Sequence, residues 1–442
     1  MQYTTRQRTG VIPYMLYTTG NRLWGRRLIY VYYVEALIAK SHLSSLPGLW
    51  LAHMAVSLGL LVTLCFLGGK RGFDHSWKSH GTSMRLLLLF AMWSVISSSM
   101  TDAPYTNVLW SIVFVLSIYV GIYTATFFFA AEVLSAIRGF TVIVIAWTVL
   151  GIVLSVAVPG LNPMAYGYIR FSGAAANAGD AALNLSLGFL LCVWLIQYSP
   201  SPNIYRICSV LLLVTLILTR KRTALLGMML ALPWLLCHIP SLCARRRGLI
   251  VMLLGGLAGL TLLFAASPAD RRFEEVRVFL RLTEEDDTRT SRFMQGLEYI
   301  AERPWLGHGP MSKFEDPHAI TSSTYDFRRD PHSSVLCLAQ HYGIPGAALF
   351  LGYLCSCVWP FFRRGKNMIR PLMQSLCLWG ICSLVASVWL MSFGMPGDRL
   401  SYILFGLGLA SLARVHDPRA RRDRQQYRWA EQRRQSRVHA IA

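Results

Sequence analysis

Charge is scarce in this sequence, and negative charge is the scarcer kind. The chain has 442 residues, with 22 Asp or Glu against 43 Lys or Arg, and charged residues make up 15% of it, compared with about 25% in soluble globular proteins. Hydrophobic residues make up 54%. These proportions exclude a soluble enzyme, a disordered chain and a collagen-like fibre, and they indicate a helical membrane protein.

Metal-site and repeat signatures are absent from the sequence. None of the ten Cys residues forms a C-x-x-C pair or the Cys/His spacing of a zinc site, and no Asp-x-Asp motif occurs. No repeat of about 20 to 50 residues is visible, which excludes a solenoid. The sequence therefore predicts no metal and no other cofactor, and it assigns the cysteines to packing.

Long apolar runs are what the chain has instead. A helix needs about 20 mostly apolar residues to cross the hydrocarbon. Twelve candidate spans run roughly over 26–41, 49–68, 84–99, 107–130, 138–158, 181–198, 205–219, 223–239, 248–266, 334–361, 370–392 and 400–414. The first span has only a short apolar core, because Arg26, Arg27 and Glu35 interrupt it.

The spans predict an all-α polytopic membrane protein with four parts. Residues 1–266 hold spans one to nine, 267–333 form a long, partly helical loop, 334–414 hold spans ten to twelve, and 415–442 form a basic tail. Cytoplasmic loops carry an excess of Lys and Arg. The Arg245–Arg247 run and the nine Arg residues from Arg414 onward obey that rule if both termini are cytoplasmic. The loop is then periplasmic. The tail is interpreted as a contact with anionic lipid headgroups, with no nucleic acid partner.

Two periplasmic segments carry cations against this rule. One is the turn Thr219-Arg220-Lys221-Arg222-Thr223 between two spans. The other is the segment 267–331, with ten Lys or Arg and 13 Asp or Glu, but long loops translocate largely regardless of charge. The turn is therefore the real exception. Cations held at that depth usually face a polar cavity or an anionic ligand.

The long loop contains a predicted helix over 289–303, which Pro304 ends. Phe293, Leu297 and Ile300 recur at helical spacing, as in an amphipathic helix at a membrane surface. Arg289 and Arg292 are three residues apart, so both guanidinium groups can point the same way. A solvated loop balanced by its Glu residues is the alternative interpretation.

His332 lies in the segment Asp330-Pro-His-Ser-Ser334, immediately before the tenth span. It is therefore expected at the periplasmic boundary of the membrane. A His at a helix start is often a cap or an interfacial residue. It is also the side chain best suited to proton transfer near neutral pH.

Four segments resemble the O-antigen ligase and O-antigen polymerase superfamily. They are RTSRFMQGLEYIAERPWLGHG (289–309), HSSVLCLAQHYGIPG (332–346), TRKRTALL (219–226) and RFSGAAAN (170–177). The first two resemble the family's Arg-helix-Pro-x-x-Gly-x-Gly and His-Asn-x-x-Leu to Gly-Ile-Pro-Gly patterns. Phe293, Ser333 and Lys221 depart from the residues usual in the family, which weakens any choice between ligase and polymerase.

The resemblance implies a GT-C-like glycosyltransferase of the bacterial inner membrane with a periplasmic active site. The implied donor is a glycan on undecaprenyl pyrophosphate, and the implied acceptor is lipid A-core. Membrane lipids are the other implied partners. His332 is the implied base. Arg222 and Arg289, with Arg220, Arg292 and Arg170 beside them, are the implied pyrophosphate ligands, because a guanidinium group donates paired hydrogen bonds to phosphate oxygens. A metal-free, inverting displacement is the expected reaction.

Three alternatives remain open from the sequence. An O-antigen or exopolysaccharide polymerase would use the same donor and similar His and Arg residues. An oligosaccharyltransferase that glycosylates protein belongs to the same superfamily. A transporter or flippase also suits twelve spans, although ionisable residues within the predicted spans are few and transporter sites are expected near the midplane.

Overall fold

The structure is a computed structural model that describes residues 11–45, 49–128, 132–158, 164–165, 168–169, 171–175, 177–219, 221–238, 288–310, 333–363, 368–386 and 396–412. Within these ranges the chain forms twelve α-helices, one short 3-10 helix at His42–Ser45 and one hairpin of two-residue strands, β1 Met164–Ala165 and β2 Tyr168–Ile169. The helical prediction is confirmed.

The described helices are numbered in chain order. Their bounds are α1 Val11–Ala39, α2 Leu49–Ser79, α3 Gly81–Ser99, α4 Pro104–Phe127, α5 Val133–Ala157, α6 Ala178–Tyr198, α7 Pro202–Leu218, α8 Arg222–Cys237, α9 Thr288–Glu302, α10 Ser334–Phe362, α11 Arg370–Ala386 and α12 Pro396–Leu412. Eleven of the twelve predicted spans coincide with a helix. The ninth, 248–266, lies outside the described residues.

Five of the described helices are long and apolar enough to cross a membrane: α3, α4, α5, α6 and α10. Shorter apolar helices occupy Ala55–Gly69, Pro202–Leu218 and Thr223–Cys237. The break in α2 lies at Gly69, with φ 52° and ψ −163°, one residue after the predicted end of that span. The Tyr123 hydroxyl donates to the Gly69 carbonyl at 2.8 Å, which satisfies an acceptor that the break leaves outside the helix.

Packing between helices sets the geometry of the bundle. Helix α1 packs on α2, α2 on α3, and α3 on α4, while α6 packs on α5, α7 and α8. Because chain neighbours joined by short turns run antiparallel, α1 and α3 end where α2 and α4 begin. Helix α10 also begins there, packed on α3, and α9 packs against it. We call this the loop end of the bundle.

Two of the three charges that interrupt the first predicted span, Arg26 and Glu35, are paired in the structure. Arg26 forms an ion pair with Glu132 at 2.7 Å and donates to the Phe127 carbonyl at 2.8 Å. Glu35 pairs with Arg399 of α12 at 2.5 Å. Helix α1 therefore continues through both charged positions, because each has an opposite charge from another helix.

Candidate functional site

The predicted site residues are described to different extents. His332, Arg170 and Arg220 lie outside the described residues. The backbones of three others are described, while their side chains are not: Arg222 begins α8, and Arg289 and Arg292 lie in the first two turns of α9. The site is therefore built here from the elements that carry these positions and from the described residues beside them.

A junction of two chain segments joins α9 to α10. The His308 amide donates to the Gln340 carbonyl at 2.8 Å, and the Gly309 amide donates to the His341 carbonyl at 2.9 Å. The Ile344 amide donates back to the Pro304 carbonyl at 2.8 Å. We call this contact, residues 304–309 against 340–344, the glycine junction.

Glycine is required at the junction because the two backbones touch. Gly307, Gly309 and Gly343 all have positive φ, at 68°, 84° and 71°, a region that other residues rarely occupy. A Cβ on Gly343 would lie 2.0 Å from the Trp305 carbonyl oxygen, and one on Gly307 would lie 2.6 Å from the Gly343 nitrogen. Gly343 also breaks α10, whose interior φ/ψ there is non-helical. The family-like Gly-x-Gly and Gly-Ile-Pro-Gly patterns are thus two halves of one contact.

The turn between α3 and α4 supports the junction from the other side. The Ser97 hydroxyl donates to the Leu306 carbonyl, and the buried amide of Asn107 donates to the Thr101 hydroxyl at 2.7 Å. Gly309 passes so close to this amide that a Cβ would lie 2.6 Å from Asn107 Nδ2. Three elements, α3, α4 and α9 with the segment that follows it, therefore contact one another around the first turns of α10.

The described start of α10 begins with two buried serines. Ser333 is the residue before the helix, with extended backbone, and its carbonyl accepts from the Cys337 amide at 2.9 Å. Ser333 is 3% exposed and Ser334 is not exposed. Position 332, which lies outside the described residues, immediately precedes these two buried serines in the sequence.

Helix α9 confirms the predicted helix in the loop. Its packed side holds buried Gly296 and Ile300, which contacts the core. Phe293, Met294 and Leu297 are exposed, so the apolar face is divided between protein and surroundings. His308 is held beneath the helix, since its Nε2 lies 2.9 Å from the Tyr299 carbonyl, which gives that His a structural role.

A second contact region lies around the predicted cationic turn. The Phe171 amide donates to the Leu218 carbonyl at 3.1 Å, at the end of α7. The His42 amide donates to the Ala174 carbonyl at 3.2 Å, and Ser41 forms an antiparallel bridge with Ala175. We call the end of α1, residues 171–175, the start of α6 and the α7–α8 turn the cationic corner. The structure thus brings the positions next to Arg170 and Arg220 to one place.

Two lysines and one buried carboxylate lie in the cationic corner. Asp180, in the first turn of α6, is 6% exposed and lies within electrostatic range of Lys40 and Lys221. A Cβ on Gly179 would lie 3.5 Å from the Lys221 ammonium. Asn177 caps α6 by accepting from the Gly179 amide at 2.7 Å. The helix start, where unpaired amides favour anions, therefore lies beside two ammonium groups.

Sequence reasoning missed Lys40 and Asp180. Lys40 lies at the end of the first predicted span, 26–41, and Asp180 directly precedes the sixth, so each looked like an ordinary helix boundary. The Asn-Ala-Gly-Asp segment before α6 was the one available signal, because Asn followed by an acidic residue three positions later marks a helix start. Within the described ranges no group of three His, Cys, Asp or Glu is placed to hold a metal ion. The loop acids Asp316, Asp326 and Asp330 lie outside those ranges.

Comparisons with known proteins agree with the motifs. The sequence profile described as O-antigen ligase matches residues 207–351, which include most of α7, all of α8 and α9, the glycine junction and much of α10. A curated O-antigen ligase of Pseudomonas aeruginosa is 26% identical over 303 residues, covering 66% of this chain and 69% of that protein. The resemblance to the O-antigen ligase superfamily is confirmed by both.

Proposed function

From this confirmed resemblance to the O-antigen ligase superfamily, we propose that the chain transfers a glycan from undecaprenyl pyrophosphate to a sugar hydroxyl of lipid A-core. The resemblance supports a glycosyl-transferring enzyme that is also a multi-pass bacterial membrane protein. We place the reaction on the periplasmic face of the inner membrane, at the loop end of the bundle, with both termini in the cytoplasm.

The glycine junction is the observation that supports this proposal most. It fixes α9, which carries Arg289 and Arg292, to α10, whose first residue is two positions after His332. Two family-like motifs that are separate in sequence are therefore one structural unit. Precise mutual placement of a base and charge-stabilising groups is what transfer catalysis requires.

We assign the proton to His332. The acceptor hydroxyl attacks the anomeric carbon, a new C–O bond forms, and the bond from that carbon to the pyrophosphate oxygen breaks. Neutral His332 takes the hydroxyl proton, and undecaprenyl pyrophosphate leaves with the bonding electron pair. One displacement from the opposite side inverts the anomeric carbon.

The departing pyrophosphate gains negative charge, and we assign its stabilisation to arginine. Arg222 and Arg289 are the main ligands, with Arg220, Arg292 and Arg170 as further ones. A guanidinium group donates two parallel hydrogen bonds to phosphate oxygens, which an ammonium group does not do. The cationic corner supports this assignment, because Lys40 and Lys221 already lie at that end of the bundle. Positive side chains can then neutralise the leaving group without an exchangeable ion.

An assay of acceptor choice tests this proposal against the polymerase alternative. Purified protein is supplied with lipid-linked glycan and lipid A-core, and the products are separated by size and by lipid. Transfer to the core supports a ligase. Longer lipid-linked chains with an unmodified core would identify a polymerase instead.

A transporter would leave both substrates chemically unchanged in the same assay. The buried charges of Glu35 and Arg399 show that ionisable residues do occur inside the described helices. They are paired with one another, however, and the cavity beside α12, lined by Tyr353 and Tyr402, has a volume of about 10 Å³, no more than one water molecule.

A further inference from the structure

A buried ionic cluster ties three helices together inside the bundle. Arg399 of α12 donates to Glu35 of α1 at 2.5 Å, to the Tyr32 carbonyl at 2.6 Å and to the Ser57 hydroxyl of α2 at 2.7 Å. Its guanidinium also lies 4.0 Å from the centre of the Tyr32 ring. Ser57 donates to Glu35 at 2.9 Å, and His53 of α2 contacts the same carboxylate. We call these five residues the Arg399 cluster.

Burying the charges of this cluster costs desolvation free energy, which apolar packing at the same place does not. Arg399 is 1% exposed, His53 8% and Ser57 0%, so the charges have lost most of their hydration. Well-packed apolar residues commonly hold helices as firmly as a buried ion pair does. Ionisable residues inside membrane helices usually serve function. What the ion pair adds over apolar packing is direction, because its hydrogen bonds fix both the rotation and the height of α1 against α12.

The end of α1 contacts the cationic corner directly, so the placement of α1 sets the placement of residues 171–175. Glu35 lies about one turn before the end of α1, and the chain continues directly from α1 into Ser41 and His42. Ser41 bridges Ala175, and the His42 ring nitrogen Nε2 lies 3.2 Å from the Gly173 carbonyl. The same segment then bonds to Leu218, directly before the cationic turn.

We propose that Arg399 is a positioning residue for the donor site. It fixes the end of α1, and through residues 171–175 it fixes the α7–α8 turn that carries Arg220, Lys221 and Arg222. This inference rests on the proposed function, because the turn is taken as the pyrophosphate site. The consequence is that Arg399 controls donor binding without touching the donor.

Arg399→Met tests the proposal, since Met fills similar space without the hydrogen bonds. It is combined with one of two engineered disulfides. The pair Ser41→Cys/Ala175→Cys closes the bridge between α1 and 171–175, because directly opposed strand residues have Cα atoms about 5 Å apart. The control pair Ser83→Cys/Ser356→Cys joins α3 to α10, where the two hydroxyl oxygens are 2.8 Å apart. Both links strengthen the fold, but only the first lies on the proposed path.

The first measurement needs no activity. In membranes without substrate, the 41–175 disulfide, read by mass spectrometry of the linked peptides, should form about tenfold more slowly in Arg399→Met than with Arg399 present. The 83–356 disulfide should form at an unchanged rate. Equal rates for the 41–175 pair in both backgrounds would overturn the proposal, whether or not the protein proves to be a glycosyltransferase.

The second measurement is the kinetics of transfer. Arg399→Met should raise the KM for lipid-linked donor about tenfold with a smaller change in kcat, and the 41–175 disulfide should restore that KM while the 83–356 disulfide does not. If both disulfides restore the KM, Arg399 only stabilises the fold. If neither does, the contact between residues 41 and 175 does not link Arg399 to the donor site. Either result overturns the proposal. If Arg399→Met does not fold, Glu35→Gln/Arg399→Met replaces it, because that pair leaves no unpaired buried charge. A wild-type protein without transfer activity contradicts the proposed function instead.

Discussion

The glycine junction and the cationic corner are built by different means. The junction is held by backbone hydrogen bonds between two segments that follow α9 and begin α10, and three glycines allow the backbones to touch. The corner collects charged side chains at helix boundaries, around Asp180, Lys40 and Lys221. On the proposed roles, the junction serves His332 and the α9 residues Arg289 and Arg292, while the corner adds Arg222 and its neighbouring cations for the phosphates.

Loss of the base should have the largest effect. His332→Ala is expected to lower kcat by about two to four orders of magnitude while donor binding persists, because only the proton acceptor is removed. Turnover and binding of labelled donor are measured on the same preparation. A folded variant that transfers glycan at a near-normal rate contradicts the assignment, and a parallel loss of donor binding contradicts a role of His332 confined to proton transfer.

Breaking the junction should come next. Gly343→Ala places a Cβ 2.0 Å from a carbonyl oxygen at a position with φ 71°, so it is expected to cost about 3 kcal/mol of stability and to lower transfer accordingly. Thermal unfolding in detergent measures the loss. Gly352→Ala, on the same helix, is the matched control, since its nearest side-chain atoms are 3.9 Å away. Equal unfolding temperatures for the two variants would show that the junction is not tight.

Changes of cation type should affect the donor more moderately. Arg222→Lys and Arg289→Lys keep the charge but lose the paired hydrogen bonds, so the KM for lipid pyrophosphate is expected to rise about tenfold in each. Arg422→Lys, in the basic tail, is the control and should change nothing. A raised KM in Arg422→Lys, with no change in the other two variants, would contradict the assignment of Arg222 and Arg289 to the pyrophosphate.

Chelation should have the smallest effect. Because arginines are assigned to the departing pyrophosphate, transfer in excess EDTA is expected at a similar rate to transfer without it. If EDTA abolishes activity and added magnesium or manganese restores it, a divalent metal ion stabilises the pyrophosphate alongside the arginines. Asp316, Asp326 and Asp330 would then be the first ligands to test.

Local patterns carried much of the fold. The apolar face and Pro304 predicted a helix over 289–303, and α9 spans Thr288–Glu302. The end of the second predicted span at 68 precedes the break at Gly69. These features depend on a few neighbouring residues, which is why periodicity and helix-ending residues predict them.

Contacts between distant segments were beyond such patterns. The glycine motifs were visible, but neither motif shows which distant segment its backbone contacts. Glu35 looked like a defect in the first span because its partner, Arg399, is 364 residues away. Lys40 comes within electrostatic range of Asp180 where residues 171–175 contact the end of α1. The predicted site residues themselves, His332 foremost, remain predictions.

The configuration of the new glycosidic bond tests the proposed chemistry most directly. Purified protein transfers a glycan of known anomeric configuration from undecaprenyl pyrophosphate to lipid A-core, and NMR coupling constants of the product report the configuration at the transferred sugar. A single displacement assisted by His332 predicts an inverted bond, formed in equal amount with released undecaprenyl pyrophosphate. A retained configuration would require a covalent glycosyl-enzyme intermediate and would contradict the account.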